Sequence, residues 1–258
     1  MKIYIITDLE GPAMVSRWDQ TREATPEATA LAHTLLTGEV NAAIDGILDV
    51  DPAADVVVWD GHGSGGIDVM AFHPKAKLIA RGPIKPPYFL DSSFDALFFV
   101  GQHAMAGTPN APLCHTYSSR DIEYYKINGQ LVGEFGARAI MAGTFGVPAV
   151  FVAGDDKAVA EAQAMVPNLY GAVVKWGLGI ELALHLSPKA AQEVVRKIAA
   201  EAAKNIHAVA PVKVDPPYEQ EIRTYREESI KGYLASGATQ IDSRTVLLRS
   251  DNICDLRV

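Results

Sequence analysis

The sequence predicts an α/β protein with a largely parallel sheet flanked by helices, an additional hairpin and a mixed C-terminal segment. Short runs rich in β-branched residues, such as KIYIIT (2–7) and DALFFVGQ (95–102), alternate with longer segments of helical periodicity. The 258 residues are 48% hydrophobic, which is enough for one large core. We therefore expect one domain over residues 1–258, and a C-terminal sub-domain from about residue 213 is the alternative.

Each element is predicted from its own local pattern. Apolar runs indicate strands at 2–7, 54–60, 77–81, 95–102, 147–154, 172–178 and 245–250, and another is expected after the prolines of PVKVDPPYEQEIRTY. Apolar residues at three- and four-residue spacing indicate helices at 26–48, 133–146, 155–166, 187–206 and 227–234. Residues 123–132 are expected to form a hairpin, because Asn128-Gly129 favours a type I′ turn.

The composition argues against several classes of protein. The net charge is -8 and no run rich in Lys or Arg occurs, so nucleic acid is not an expected partner. Cys114 and Cys254 form no CxxC pattern, which argues against a disulfide framework and fits a reducing compartment. The N-terminal apolar run is too short for a signal peptide, and no run of about 18 apolar residues occurs. We expect a cytoplasmic protein without a membrane partner.

Ionisable residues follow the carboxyl ends of three predicted strands. In chain order these residues are Asp8 and Glu10, then Asp60 and His62, then His103. Ligands of open α/β sheets gather beyond the carboxyl ends of the strands, so these side chains are expected at one rim. The next candidate polar residues along the chain are His115, in PLCHTYSS, and Glu134, at the start of a predicted helix.

The charges of this group indicate a metal site. Asp8 and Glu10 are two apart on a strand and share a face, so their carboxylates repel unless a cation lies nearby. The candidate ligands carry three negative charges and two imidazoles: Asp8, Glu10, His62, His103 and Glu134. One divalent ion does not neutralise the three carboxylates, whereas two ions give the site one excess positive charge. A bound hydroxide balances that charge. Mixed carboxylate and imidazole ligands favour zinc over manganese or iron, and the set predicts metal-assisted hydrolysis.

Five blocks of the sequence resemble successive blocks of a known family. TDLEG, WDGHGSG, VGQHAMAGTPNAPLCHT, INGQLVGEFG and VFVAGDD are similar, in order and spacing, to the zinc D-aminopeptidases encoded with bacterial dipeptide permeases. The similarity extends from residue 1 to roughly residue 200, and the remaining residues match only loosely. Each block alone is short, but taken together the blocks are specific.

The resemblance implies an activity and assigns residues to it. It places Asp8, Glu10, His62, His103 and Glu134 on the ligands of a two-zinc site, and it places His115 on the catalytic histidine. The activity it implies is hydrolysis of short peptides that begin with a D-residue, especially D-alanine. It also implies a homo-oligomer, in the form of a decameric ring of identical subunits.

Within this interpretation some roles are open. Asp8 is the candidate to bridge both ions because it lies deepest on the strand, and Asp60 is expected to orient His62 or a neighbour. His115 either transfers a proton to the leaving amine or stabilises the oxyanion. Cys114 is expected to pack, since neighbours in an extended segment point to opposite sides.

Two other functions stay open on the sequence. One is another dinuclear-metal amidase or phosphoesterase that uses the same ligands. The other is a non-catalytic oligomeric protein that binds metal or a small peptide. The intact ligand set together with His115 counts against the second, because a binding protein has no need of a histidine that transfers protons.

Overall fold

Strands and helices alternate along the chain in a computed structural model that describes residues 1–22, 25–80, 82 and 84–258. The strands are β1 Lys2–Thr7, β2 Asp55–Asp60, β3 Lys77–Ile79, β4 Ala96–Gln102, β5 Ile122–Ile127, β6 Gln130–Leu131, β7 Ala149–Asp155, β8 Tyr170–Gly179, β9 Leu182–His185, β10 Tyr218–Thr224, β11 Thr239–Gln240 and β12 Thr245–Ser250. The α-helices are α1 Trp18–Thr21, α2 Pro26–Val50, α3 Glu134–Thr144, α4 Asp156–Met165, α5 Pro188–Lys204 and α6 Lys231–Ala235. Short 3-10 helices lie at Ile206–Ala208, Glu227–Ile230 and Ile253–Asp255.

The larger sheet within the described residues has seven strands in the order β3-β2-β1-β4-β7-β8-β9. Neighbouring strands are parallel except for β8 and β9. In chain order, β2 and β3 are added on one side of β1. The later strands β4, β7 and β8 are then added on its other side. The order therefore reverses between β1 and β4, which opens a crevice at their carboxyl ends.

Helices cover this sheet. The Thr25 hydroxyl caps α2 by accepting from the amide of Ala28, with Pro26 at the first helical position. Ser187 and Pro188 start α5 in the same way. Helix α2 packs along α5 and against β4, while α3 and α4 contact each other and β7. These layers confirm the predicted parallel sheet flanked by helices.

The second sheet within the described residues is antiparallel, in the order β11-β12-β10-β5-β6. Strands β5 and β6 form the predicted hairpin, and both Asn128 and Gly129 have positive φ, as a type I′ turn requires. Tyr125, Ile222 and Val246 of this sheet belong to the same hydrophobic cluster as β1. Strands on both sides of residue 213 pair in this sheet, and a sub-domain boundary at that residue stays a prediction.

Some elements differ from their predicted form. The strand predicted at 77–81 ends at Ile79, and Arg81 lies outside the described residues. The strand predicted at 172–178 is longer and turns back into β9, so an antiparallel hairpin forms one edge of the larger sheet. The leucines of β9 are exposed, which explains why no buried apolar run marks that strand. Helix α1 and strand β11 are too short to leave a periodic signal.

Candidate active site

The ends of β2, β1 and β4 bring the predicted site residues to one edge of the sheet. Thr7, the last residue of β1, pairs with Asp60 of β2 on one side and with Val100 of β4 on the other. The residues that follow these strand ends are Asp8, Glu10, His62 and His103. Glu134 comes from elsewhere in the chain, since it is the first residue of α3.

Backbone contacts fix the turn that carries Asp8. The amide of Asp8 donates to the carbonyl of Val100 at 3.0 Å, and the amide of Gly11 donates to the carbonyl of Gly101 at 2.7 Å. Gly101 has a φ of +80°, and a Cβ added there would lie 2.0 Å from the carbonyl oxygen of Asp8. Only glycine allows this approach, so a glycine on β4 determines where the Asp8 backbone lies.

Four side chains form the centre of the cluster. His103 Nε2 lies 3.2 Å from Asp8 Oδ2 and 3.5 Å from Glu134 Oε1. Glu134 Oε1 also lies 3.8 Å from His115 Nε2 and accepts from the amide of Tyr117 at 2.8 Å. The rings of His103 and His115 stack with 4.0 Å between centroids and 10° between planes.

Glu10 and His62 extend the cluster on the other side. His62 Nε2 lies 3.3 Å from Glu10 Oε1. The ligand atoms of Asp8, Glu10 and His103 lie within 4.8 Å of one another, and so do those of His103, His115 and Glu134. The two groups share His103. The structure thus brings together all five predicted ligand residues and the predicted catalytic histidine.

The three histidines present the same ring nitrogen to the cluster. Nδ1 lies 2.9 Å from a backbone carbonyl in His103, 2.8 Å in His115 and 3.3 Å in His62. In His62, Nδ1 also lies 3.4 Å from the donating amide of Ser64 and 2.9 Å from the Ser64 hydroxyl, so these contacts do not assign its proton. In His103 and His115 the carbonyl oxygen only accepts, so Nδ1 carries a proton and Nε2 faces the cluster. This is the arrangement that orients imidazoles as metal ligands.

The buried polar atoms of the cluster provide a test of whether a cation fits. Within the described residues, His103 Nε2 and Glu10 Oε2 have no hydrogen-bond partner. An imidazole lone pair that faces two carboxylates is repelled by them, and burial removes the water that would screen the repulsion. A bound cation satisfies such acceptors. Carboxylate oxygens and imidazole nitrogens are donors that Zn²⁺ accepts, so the residues fit the predicted metal.

The pKa values of the cluster reflect attraction between its carboxylates and imidazoles. Burial raises the pKa of the Glu10 carboxyl, but attraction to His62 outweighs burial and holds that pKa far below its usual range. For His62, burial lowers the pKa, but Glu10 raises it to about 9. For His103, burial again lowers the pKa, and two carboxylates outweigh it and raise the pKa well above normal. Burial, followed by repulsion from His103, lowers the pKa of His115.

Asp60 and Cys114 lie beside the cluster. Asp60 Oδ1 accepts from the amide of Gly66 at 2.8 Å, which closes the loop that carries His62. Asp60 therefore positions His62 by closing its loop and not by direct contact with the ring, because the Nδ1 of that imidazole contacts a backbone carbonyl. The Cys114 thiol lies 3.5 Å from the carbonyl of Thr108. Burial raises the pKa of this thiol, which is unfavourable for a nucleophile.

Lys175 of β8 is a residue that the sequence patterns do not select. Its side chain is fully buried, and its Nζ donates to the carbonyl oxygens of Glu10, Pro12 and Val15. These three carbonyls belong to the loop that carries Glu10, so Lys175 holds that loop in position. The available signal is a lysine inside the apolar run AVVKWGL, where a charged residue is uncommon.

Trp18 and Arg138 also line the cleft above the cluster. The Trp18 ring meets the His115 ring edge-on, with 5.7 Å between centroids. Arg138 lies one helical turn after Glu134, with 3.9 Å between its Nη2 and Glu134 Oε2. The cleft has a volume of about 560 Å³, a size that suits a small-molecule ligand.

The fold and the cluster define an α/β protein with a candidate metal centre at its sheet edge, and the chain is similar to known proteins. The model of the D-aminopeptidase family matches residues 1–257. The chain is 32% identical over 216 residues to the D-aminopeptidase of Bacillus subtilis (strain 168), covering 82% of this chain and 77% of that protein. The structure of the Zn-dependent D-aminopeptidase DppA from Bacillus subtilis, a self-compartmentalizing protease, matches with a TM-score of 0.92 and 27% identity over 99% of this chain and 93% of that chain.

The chain belongs to the D-aminopeptidase family. The predicted resemblance and the prediction of a peptidase are confirmed by these matches, and the predicted fold class is confirmed by the structural match. Across the part of the chain that the structure describes, no helix has both the length and the apolar character needed to cross a membrane.

Proposed function

We propose that this chain is a zinc aminopeptidase that removes an N-terminal D-residue, such as D-alanine, from short peptides. One observation carries the proposal: within the described residues, the buried His103 Nε2 faces two carboxylates and has no hydrogen-bond partner. Membership of the D-aminopeptidase family supports the reaction. The zinc dependence of the similar DppA supports the metal.

Two zinc ions are proposed, held by Asp8, Glu10, His62, His103 and Glu134. Asp8 is the candidate bridge because its backbone is fixed between β1 and β4 and its carboxylate lies in the same group as Glu10 and His103. When bound, zinc supplies Lewis-acid polarisation of a carbonyl and lowers the pKa of water. Manganese and iron are the alternatives for the same donors.

His115 is the proposed catalytic histidine. Stacking on His103 and the edge of Trp18 hold its ring, and the carbonyl of Leu113 accepts from its Nδ1. The ring therefore exposes Nε2 towards the carboxylate of Glu134. A neutral imidazole in this orientation exchanges a proton at Nε2, and the protonated ring stabilises an oxyanion. The orientation of the ring supports either role.

The cleft suits a short peptide with a free amino terminus. Its volume of about 560 Å³ is in the range of small-ligand sites. The free amino terminus is proposed to bind near one ion or near one of the carboxylates that line the cleft, Asp8, Glu10 and Glu134. Such a contact supports an aminopeptidase, which must distinguish the first residue of a peptide by its free amine.

The proposal includes a homo-oligomer, in the form of a decameric ring of cytoplasmic subunits. The similar DppA is described as self-compartmentalizing. The β8–β9 hairpin has an apolar outer face, on which the exposed fractions range from 39% to 62%: Trp176, Leu178, Leu182 and Leu184. Trp176 pairs with Leu184 across the hairpin, so these side chains share one face. An apolar face of this kind supports an interface between subunits.

A panel of substrates tests the proposed activity. We expect the zinc-loaded protein to hydrolyse D-alanyl-D-alanine, and to leave L-alanyl-L-alanine and p-nitrophenyl phosphate nearly untouched. Elemental analysis should give about two zinc ions per subunit if all five ligand residues bind metal. The L,L-dipeptide is the matched control, because it differs from the substrate only in stereochemistry.

The same panel separates the alternatives. Preferential hydrolysis of the phosphate ester, or of an amide that is not a peptide, would indicate another dinuclear-metal hydrolase. Zinc binding without turnover of any substrate would indicate a non-catalytic metal-binding or peptide-binding protein. Equal rates on the D,D- and L,L-dipeptides would contradict the proposed stereochemical preference.

A further inference from the structure

Arginines line the cleft together with the carboxylates of the cluster. Arg22, Arg120 and Arg138 all contribute to its walls, next to Asp8 and Glu10. The segment from residue 117 to residue 120 connects them, because Tyr117 packs against Arg138 and the Ser119 hydroxyl accepts from Arg22. The cluster does not use these cations as ligands, since a guanidinium has no lone pair to offer. The cleft therefore contains positive as well as negative groups.

Arg138 is a fixed cation in a buried position. Only 7% of its surface is exposed, and its guanidinium lies over the ring of Trp59 at 4.7 Å and near those of Tyr88 and Tyr117. Within the described residues, its Nε has no hydrogen-bond partner. Its distance of 3.9 Å from Glu134 is too long for a hydrogen bond. A buried arginine with an unused donor is suited to bind an anion that enters the cleft.

Arg22 and Arg120 place further positive charge along the same wall. The guanidinium of Arg22 lies 3.9 Å above the Trp18 ring, which holds it in position. Burial, followed by repulsion from Arg120, lowers the pKa of Arg22, while attraction to Glu181 and Glu10 opposes this shift. An anion near both of them relieves that repulsion.

We propose that this arginine wall, formed by Arg22, Arg120 and Arg138, binds the free carboxylate of a short peptide whose amino terminus lies at the carboxylate cluster. The inference rests on the proposed aminopeptidase activity and adds the second recognition element of its substrate. A dipeptide spans at most about 7 Å and a tripeptide about 11 Å. The proposed substrates are therefore short peptides with both termini free, and amidated peptides are poor substrates.

A pair of dipeptides that differ only at the carboxyl end tests this inference. We expect the zinc-loaded wild type to hydrolyse D-alanyl-D-alanine with a kcat/KM at least about 10-fold above that for D-alanyl-D-alaninamide, because an arginine–carboxylate pair is a strong charge-assisted contact. In the variant Arg22→Gln/Arg120→Gln we expect this ratio to fall to within about 3-fold of unity, mainly through a higher KM for the free acid. Arg138 is left unchanged because it packs against Glu134.

A matched control and a zinc measurement complete the experiment. Arg249→Gln removes an exposed arginine that pairs with Glu219 in the second sheet, and we expect it to keep the wild-type ratio. Zinc content should be the same in all three proteins. Equal efficiency of the wild type on acid and amide, or an unchanged ratio in the double variant, would overturn the inference. If neither peptide is hydrolysed, the proposed activity fails instead, and calorimetric binding of the acid but not the amide would still support the arginine wall.

Discussion

His103 and His115 stack on each other in the cleft, yet their surroundings predict different roles. His103 is buried between Asp8 and Glu134, and its Nε2 faces both carboxylates. His115 stacks on His103, lies 3.8 Å from a single carboxylate, that of Glu134, and has Trp18 on another side. A ligand needs to be surrounded by other ligands, whereas a group that exchanges protons needs access to the substrate. These contacts support His103 as a ligand and His115 as the catalytic residue.

Substitution of Asp8 and of His115 separates binding of metal from turnover. We expect Asp8→Ala to lose zinc and activity together, because the other ligands are then left without the proposed bridge. We expect His115→Ala to retain zinc but to lower kcat by about 100-fold or more, the usual contribution of a general acid or base. Zinc content by elemental analysis and hydrolysis of D-alanyl-D-alanine measure both effects. Near-normal rates in His115→Ala would remove His115 from the catalytic role.

Lys175 is a positioning residue for the Glu10 loop. Its ammonium group is buried against three backbone carbonyls of that loop. Burial lowers the pKa of Lys175 to about 8. This cost is tolerated because the carbonyls would otherwise be buried without a donor.

Replacement of Lys175, which is not a proposed metal ligand, should therefore lower the affinity of the site for zinc. We expect Lys175→Met to reduce zinc affinity by about 10-fold to 100-fold, as loss of a group that supports a ligand commonly does. Competition with a chelator measures that affinity. Lys157→Met is the control, because Lys157 donates to the same β8 strand at Gly177 but does not touch the Glu10 loop. Equal zinc affinity in the wild type and Lys175→Met would show that the loop holds its position without the lysine.

Helix α4 supports the site through one carboxylate. Glu161 Oε2 accepts from the amide of Met105 at 2.8 Å, in the loop that follows His103. Burial raises the pKa of the Glu161 carboxyl from 4.5 to about 7, despite opposing hydrogen bonds from the amides of Met105 and Gly133. The folded state therefore keeps a proton that the unfolded state releases between about pH 4.5 and pH 7.

The sign of this difference gives a prediction for pH-dependent stability. The folded state binds more protons in that interval, so the Glu161 contribution to the free energy of unfolding falls as the pH rises, by at most about 3 kcal/mol. Glu161→Gln is neutral throughout and lacks this contribution. We expect the variant to gain stability relative to the wild type between pH 5 and pH 8, as measured by thermal or denaturant unfolding of the metal-free proteins. A constant difference between the two proteins across this range would contradict the raised pKa.

The β8–β9 hairpin connects the active site with the proposed interface of the assembly. Its inner face carries Lys175, and Glu181 in its turn accepts from the amide of Trp18. Its outer face carries the exposed apolar residues. A subunit that packs on the outer face would therefore also restrain the elements that hold Glu10 and His115.

Charged residues on that outer face should break the assembly. We expect Leu182→Asp/Leu184→Asp to reduce the molar mass measured by light scattering, because burial of a carboxylate in an apolar interface is costly. Leu131→Asp is the matched control, since Leu131 is similarly exposed but lies in the second sheet. A clean monomer in the wild type would contradict the ring, and an unchanged mass in the double variant would place the interface elsewhere.

The sequence by itself determined the features that depend on neighbouring residues. Apolar runs marked the parallel strands, apolar residues at three- and four-residue spacing marked the helices, and Asn128-Gly129 marked the hairpin. The position of ionisable residues just after strands also selected the cluster, because parallel strands end at the same edge of a sheet. Such signals are local, and one sequence is sufficient to read them.

Only the tertiary structure decided the features that depend on distant residues. Lys175 lies 165 positions from Glu10, and no local pattern connects a lysine in β8 with the carbonyls of another loop. The stacking of His103 on His115 and the arginine wall likewise depend on how separate loops pack. The leucines of β9 are exposed, so a prediction that looks for buried apolar residues does not detect that strand. The physical reason is common to all of them: these contacts form between segments that only the complete fold brings together.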